Sequence, residues 1–189
     1  YNAMQAHLAI NESFLDSAQV RSNVVSRAKL LGYTPKSKTA STAVINVLFS
    51  SSSTLQIAKG STFNASVDGV TYQFQTLDDV STTAVTSDVQ IASNLTIKQG
   101  VSENVEYGLS NIYDQKFVIP NKDVDTSELT VRVFDSINDS SAASSTVYTL
   151  FKDYGTIDGT STIYFIHENA EGYYEISFGN NVFGKQPPA

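Results

Sequence analysis

The part of this chain that comes nearest to a chemical motif lies close to its C-terminal end. Residues 179–186 read Gly-Asn-Asn-Val-Phe-Gly-Lys-Gln and follow a predicted strand, so they share the glycines and the lysine of a phosphate-binding P-loop. Gln186 replaces the Ser or Thr that ligates magnesium, and Pro187 and Pro188 make a poor start for the required helix. The spacing therefore predicts a turn at the exit of a strand, without a nucleotide site.

Two other groups have side chains of the kind that bind metals or move protons. Asp123 and Asp125 begin like a calcium loop, but the sixth position is not Gly and Phe134 replaces the bidentate Glu. His7 lies in a predicted helix without a partner at metal-binding spacing, and His167 lies in a predicted strand. We expect a solvated turn at Asp123 that caps the next element, a strand-face role for His167, and no catalytic, cofactor-binding or metal site.

The composition narrows the classes of partner. Twelve Lys and Arg residues are scattered among 19 Asp and Glu residues, and the net charge is -7. Nucleic-acid binding requires clustered basic residues, so we expect no nucleic-acid partner. No apolar run approaches the roughly 18 residues of a membrane span, so we expect no membrane partner either. The absence of Cys excludes disulfides and thiolate chemistry and fits assembly in a reducing cytoplasm.

The first forty residues have helical spacing. Apolar residues recur every three or four positions along one side of a predicted helix, as expected where one face packs. They are Val20, Val24, Ala28 and Leu31. Upstream, Met4, Leu8 and Leu15 mark a second apolar stripe. We therefore expect two helices, the first over about residues 1–14.

The second helix carries signals for both of its ends. Asp16 followed by Gln19 has the spacing of a capping box, which predicts the start of the helix. Gly32 suits the left-handed position after a helix, and Pro35 prevents continuation.

From about residue 41, short runs with alternating apolar residues replace the helical pattern. Ile45, Val47 and Phe49 form one face of a strand, and Asp68-Gly69 is a strong hairpin signal. Further strands are predicted around residues 55–57, 63–67, 70–74, 90–97, 115–119, 129–134, 147–151, 162–168 and 173–178. The pattern predicts an α+β protein in which a two-helix head precedes a mostly antiparallel β body. We divide it into a helical head (1–40), a first β domain (41–119) and a second β-rich domain ending in a hairpin (120–189).

Three segments carry a resemblance to a family. Residues 14–35 resemble the helix that opens baseplate wedge subunits of contractile-tailed, T-even-like phages. Residues 55–63 and 68–76 look like the baseplate J-like pattern of apolar strand, Gly-Ser/Thr, strand, Gly, and strand ending in Phe-x-Thr. Residues 161–166 and 174–185 are similar to the hairpin that closes on Phe-Gly-(Asp/Glu/Asn)-x-x-x-Gly. The matches occur in the order of the family.

This resemblance implies a structural role and no enzymatic activity, because the family has no catalytic residues to carry over. Its wedge subunit occurs as two copies per wedge, pairs with other wedge proteins, and closes into a ring around the central hub that widens when the sheath contracts. The expected partners are therefore a second copy and other baseplate wedge proteins, with indirect links to the hub and the tail tube or sheath. The expected location is the virion tail baseplate, assembled in the host bacterial cytoplasm. Members extend past the end of this chain, so we expect a fragment.

The helical head is the expected docking surface. Its candidate interface residues are Met4, Leu8, Val20, Val24 and Leu31. A second interpretation is a β-rich receptor- or glycan-binding tail module, whose Tyr and Phe residues would stack on sugars. The helical head favours the first interpretation, because an adhesin does not need an amphipathic pair of helices whereas an assembly subunit uses one for docking.

Overall fold

Two helices are followed by β strands, which confirms the predicted α+β class. The computed structural model describes residues 2–33, 35–110, 114–136, 138, 142–152 and 157–188, excluding the side chains of residues 29 and 30. Helix α1 spans Asn2–Asn11 and helix α2 spans Arg21–Leu30. All described strand pairs are antiparallel except one.

The chain forms two compact units, residues 1–38 together with 105–189, and residues 39–104. The helical residues thus group with the C-terminal β residues, whereas the division expected from the sequence has three consecutive segments.

The unit of residues 39–104 is built on one sheet of five strands. Its strands are β1 Thr42–Ser50, β2 Gln56–Ile57, β3 Thr62–Val67, β4 Val70–Thr76, β5 Val80–Ser81, β6 Thr83–Thr86 and β7 Val89–Gln99. The order in the sheet is β1-β7-β4-β3, with β6 also pairing β7, while β2 and β5 form a separate pair. Strands β5 and β6 lie in a region where the sequence pattern predicts no strand.

The core of this unit follows the alternation of the strands. Ala92, Leu95 and Ile97 of β7 are buried together with Ile57. Burial alternates along β1, and the half-buried residues of that strand pack against this cluster; they are Ala43, Ile45, Val47 and Phe49. The predicted apolar face of β1 is therefore confirmed.

Strands β3 and β4 are joined by the predicted tight turn. Asp68 has φ 51° and Gly69 has φ 79°, and Val67 pairs with Val70 across them. Two consecutive positive φ values match a type I′ hairpin turn, which follows the right-handed twist of its strands.

In the other unit, a second five-stranded sheet carries the core. Its strands are β8 Phe117–Val118, β9 Val131–Phe134, β10 Ser145–Leu150, β11 Ile163–Glu168 and β12 Tyr174–Phe178. The order is β8-β12-β11-β10-β9, and β10 and β11 are the parallel pair. The predicted final hairpin is confirmed as β11 and β12.

One face of this second sheet is apolar and aromatic. Tyr148, Tyr164 and Tyr174 are each at most 3% exposed, and Ile166 and Ile176 lie in the same cluster. Burial of the ring raises the pKa of all three tyrosines. The unit therefore has its own hydrophobic core beneath the sheet.

Candidate interaction surface

The first helix buries none of its side chains. In α1, Met4 is 72% exposed, Leu8 54% and Ile10 57%. The helix also contains no Asp, Glu, Lys or Arg. It therefore presents large apolar side chains to solvent without acidic residues, Lys or Arg between them.

The turn between the helices is held by Glu12. Its carboxylate accepts hydrogen bonds from the amides of Gln19 (2.9 Å) and Val20 (3.3 Å) and from Nδ2 of Asn23 (2.8 Å). The bond from Asn23 and then that from Gln19 lower the pKa of Glu12. A carboxylate thus lies beside the first turn of α2, where the positive end of the helix dipole favours negative charge.

The predicted start of α2 is wrong. The helix begins at Arg21, after both Asp16 and Gln19, so these two residues do not form a capping box at its first turn. Glu12 supplies the carboxylate at this end of the helix. It lies too far before the helix in sequence to match the spacing of a capping box.

The predicted end of α2 is confirmed. Gly32 has φ 74°, and the amide of Tyr33 donates to the carbonyl of Ala28, 3.0 Å away. This is the hydrogen bond of a Schellman C-cap, which satisfies a carbonyl of the last helical turn.

The buried side of α2 includes Ala28 of the predicted stripe and also Val25, which lies outside that stripe. Val25 is 3% exposed and Ala28 7%, whereas Val20 is 50% exposed and Leu31 75%. Val24 is partly buried. Val20 precedes the helix and Leu31 lies in the turn after it. Within this chain α2 therefore packs through Val25 and Ala28, and the ends of the predicted stripe remain on the surface.

The structure leaves most of the predicted interface exposed. Met4 and Leu8 lie one turn apart on α1, and Val20 and Leu31 flank the two ends of α2. Four further exposed apolar residues of the helical head were not assigned to the interface from the sequence: Ile10, Phe14, Leu15 and Tyr33. Ile10 lies in α1 and Phe14 lies after its end, so helical spacing does not group them, and only their apolar character marked them in the sequence.

One ion pair connects α2 to the second sheet. Arg21 donates from Nε to Oε1 of Glu168 (3.0 Å) and from Nη2 to Oε2 (2.7 Å). The side chain of Glu168 is 5% exposed and that of Arg21 is 66% exposed. The hydrogen bond to Glu168 raises the pKa of Arg21. This two-pronged contact fixes the start of α2 against β11.

The loop that resembles a P-loop uses its backbone amides within the protein. Oδ1 of Asn180 accepts from the amides of Val182 (3.1 Å) and Phe183 (3.0 Å). The amide of Gly184 donates to the carbonyl of Asp158, 3.0 Å away. The other amide bonds are Asn181 to Gly184 O, Lys185 to Ser161 O and Gln186 to Asn181 Oδ1. A P-loop binds phosphate with free amides, so this loop is the predicted turn after a strand.

Close backbone contacts explain the glycines of this loop. A Cβ on Gly179 would lie closer than 3.0 Å to the carbonyl oxygen of Gly184. A Cβ on Gly159 would likewise lie closer than 3.0 Å to the carbonyl oxygen of Asn181. Gly184 itself has φ 80°. Any larger residue at these positions would force the two segments apart.

The neighbouring turn is organised by Asp158. Its Oδ1 accepts from Oγ1 (2.8 Å) and the amide (2.9 Å) of Thr160, and from Oγ of Ser161 (3.0 Å). These hydrogen bonds, led by the one from Oγ1 of Thr160, lower the pKa of Asp158.

The other residues that the sequence offered as metal ligands or proton carriers lie in ordinary structural positions. Asp125 caps a short 3₁₀ helix over Thr126–Glu128 by accepting from the amide of Ser127, which confirms the predicted capping turn. His167 is partly buried on β11. Among the described residues, no three His, Cys, Asp or Glu side chains are grouped so that they could hold a metal ion.

A groove of about 270 Å³ lies on the second sheet, lined in part by Phe165, His167 and Phe183. The rings of Phe165 and Phe183 are stacked, with centroids 5.9 Å apart and planes 20° apart. Phe151 lies within 5.5 Å of both rings, measured between centroids. The three rings therefore form one aromatic cluster beside the groove.

Comparison with family models and curated proteins gives no relative. No family model matches the chain, and no curated protein matches it significantly. None of the helices in the described part of the chain is long and apolar enough to cross a membrane.

Proposed function

We propose that this chain is a structural subunit of a phage tail baseplate wedge, which assembles through its helical head with a second copy and with other wedge proteins. The observation that carries the proposal is α1, a ten-residue helix without a buried residue. Isolated helices shorter than about 12–15 residues are marginal in water. A helix of this kind gains its stability by docking.

The apolar residues of the head supply the energy for docking. Met4, Leu8, Ile10 and Phe14 are all more than half exposed. Burying a large apolar side chain contributes about 1.5–3 kcal/mol, so burial of these four contributes roughly 6–12 kcal/mol. This gain offsets part of the entropy lost on ordering a short helix and two surfaces.

The charge of the head favours a protein partner. The chain as a whole carries -7, which opposes association of two copies, but α1 has no Asp, Glu, Lys or Arg. Cores of protein interfaces are depleted in charged residues and enriched in Met and aromatic residues. Helices that lie on membrane surfaces are rich in Lys and Arg, which α1 lacks.

The identification of the assembly as a baseplate wedge rests on the resemblance of the three sequence segments. Characteristic residues of these segments have physical roles in this fold: Gly69 has φ 79° in the hairpin turn, and Gly179 contacts Gly184 after the final strand. On this proposal the protein resides in the virion tail after assembly in the host cytoplasm, and it has no catalytic activity.

The alternative is a glycan-binding tail module that uses the groove beside Phe165 and Phe183. Sugar stacking requires open ring faces, and the stacking of these two rings on each other occupies one face of each. This packing favours the assembly role.

The proposal is tested by adding charge to the exposed side chains of α1. Met4→Glu and Leu8→Glu should each weaken association of the chain, with itself or with a wedge partner, by at least about tenfold, or about 1.4 kcal/mol. The matched control is Gln5→Glu, which adds the same charge at a position that is already polar. Sedimentation velocity measures the association. Equal association of Leu8→Glu, Gln5→Glu and the unmodified chain would contradict the proposal.

A further inference from the structure

Strand β1 is an uncharged edge. It lies at one end of the sheet order β1-β7-β4-β3, and within the described part of its unit it pairs with β7 alone. Its nine residues, TAVINVLFS, include no charged residue and no Pro. Proteins usually protect long edge strands with Lys, Pro or a bulge, because the open backbone groups can pair with another chain.

The irregularity in this part of the sheet does not protect the edge. The register of β1 and β7 shifts between Ile45 and Val47. Asn94 of β7 has φ 54°, and its amide donates to Oδ1 of Asn46, 2.8 Å away. The extra residue therefore belongs to β7, and β1 remains a continuous strand.

The backbone groups of alternate residues of β1 point to the open edge. The carbonyl of Ser41 accepts from the amide of Gln99 (2.8 Å), and the amide of Ser51 donates to the carbonyl of Asp88 (3.0 Å). Odd-numbered residues thus direct their backbone groups to β7, and even-numbered residues direct theirs away from it. The even-numbered residues are Thr42, Val44, Asn46, Leu48 and Ser50, and all five are exposed.

The sequence of β1 is chemically symmetric about Asn46. Antiparallel pairing of two β1 strands centred on this residue sets Val44 of one copy opposite Leu48 of the other. These side chains are 62% and 65% exposed. The other opposed pairs are Thr42 with Ser50, Ala43 with Phe49, and Ile45 with Val47. Apolar residues therefore meet apolar residues on both faces of the extended sheet, and no charges meet.

We propose that β1 is a docking edge for β1 of a second copy of this chain, which joins the two sheets into one across a two-fold axis near Asn46. Main-chain hydrogen bonds supply the affinity, and the opposed side chains select the register. The edge belongs to the unit of residues 39–104, whereas the helical head belongs to the other unit. The inference does not depend on the proposed role of the head.

Two double variants test the pairing and its register. Val44→Lys with Leu48→Lys places like charges opposite each other, whereas Val44→Lys with Leu48→Glu places opposite charges there. Both positions are exposed, so the fold tolerates either pair of substitutions. Sedimentation equilibrium should give an association constant at least about tenfold higher for the Lys/Glu variant than for the Lys/Lys variant.

Overall charge predicts the opposite order, because the Lys/Lys variant reduces the net charge of -7 whereas the Lys/Glu variant leaves it unchanged. Equal constants, or tighter association of the Lys/Lys variant, would overturn the proposal. A contact through the helical head contributes equally to both variants. The difference between their association constants therefore reports on pairing through β1 alone.

Amide exchange in the unmodified chain gives a second readout. Exchange at Val44 and Leu48 should slow as the protein concentration rises, because pairing with a second copy gives these amides a partner. Rates independent of concentration would also overturn the proposal.

Discussion

The ion pair of Arg21 and Glu168 holds the helical head to its unit, and its removal should loosen that attachment. Arg21→Ala removes both hydrogen bonds, of 3.0 and 2.7 Å, from a carboxylate whose side chain is 5% exposed. We expect this substitution to destabilise the protein and to free the start of α2. Glu168→Gln keeps the shape of the buried side chain but removes its charge.

The expected loss of unfolding free energy in Arg21→Ala lies between two limits. Breaking a fully buried ion pair costs about 3–5 kcal/mol, and an exposed pair contributes about 0.2–1 kcal/mol. Here Glu168 is buried, but the side chain of Arg21 is 66% exposed and water screens the interaction. We therefore expect Arg21→Ala to lower the free energy of unfolding by about 1–3 kcal/mol.

A double-mutant cycle isolates the interaction from other effects of each substitution. Urea unfolding of the unmodified chain, Arg21→Ala, Glu168→Gln and the double variant should give a coupling energy of about 1 kcal/mol or more. Arg21→Ala should cost less in the Glu168→Gln background, because no buried charge is then left without a partner. A coupling energy below about 0.3 kcal/mol, the limit of additivity for independent sites, would show that the two side chains act separately.

Three further substitutions, one of them with a control, test the turns. Gly179→Ala should destabilise the protein by about 1–3 kcal/mol, because its Cβ would overlap a backbone oxygen. The control Gly108→Ala places its Cβ in open space and should be nearly neutral in the same thermal melts. Gly69→Val should cost about 1–3 kcal/mol because its φ is 79°, and an unchanged melting temperature would show that the turn is not strained by a side chain. The lowered pKa of Asp158 contributes stability that is present above the unfolded value of about 4 and is lost as the pH falls through the lower native value. Asp158→Asn should therefore weaken the dependence of the free energy of unfolding on pH at acid pH. An unchanged pH dependence would contradict the stabilising role of the Asp158 carboxylate.

The sequence predicted the β elements best where a local pattern determines the structure. The alternation of Ile45, Val47 and Phe49 matches the buried face of β1, because one side of that strand covers a core. Asp68-Gly69 predicted its turn, because few residue pairs adopt two positive φ values. Strands β5 and β6 were missed, because neither contains a fully buried side chain and their sequences therefore carry no alternation of buried apolar residues.

The helical head shows where local patterns are insufficient. The carboxylate beside the start of α2 comes from Glu12, seven residues before Gln19. The capping box predicted at Asp16 matches a local sequence pattern, but the helix does not begin there. Arg21 is bound by Glu168, 147 residues away in sequence, and spacing does not predict such a pair. The burial of Val25, a residue outside the predicted stripe, likewise does not follow from the apolar spacing of α2.

Amide hydrogen exchange of α1 provides the sharpest check that the helical head is an assembly surface. In the dilute chain the amides of Asn2–Asn11 should exchange with little protection, since no side chain of this helix is buried. On assembly with a second copy or a wedge partner, the amides around Leu8 should become protected by at least about tenfold, or about 1.4 kcal/mol. Protection of α1 that is already complete in the dilute chain, or that does not change on assembly, would show that the head is not the docking surface.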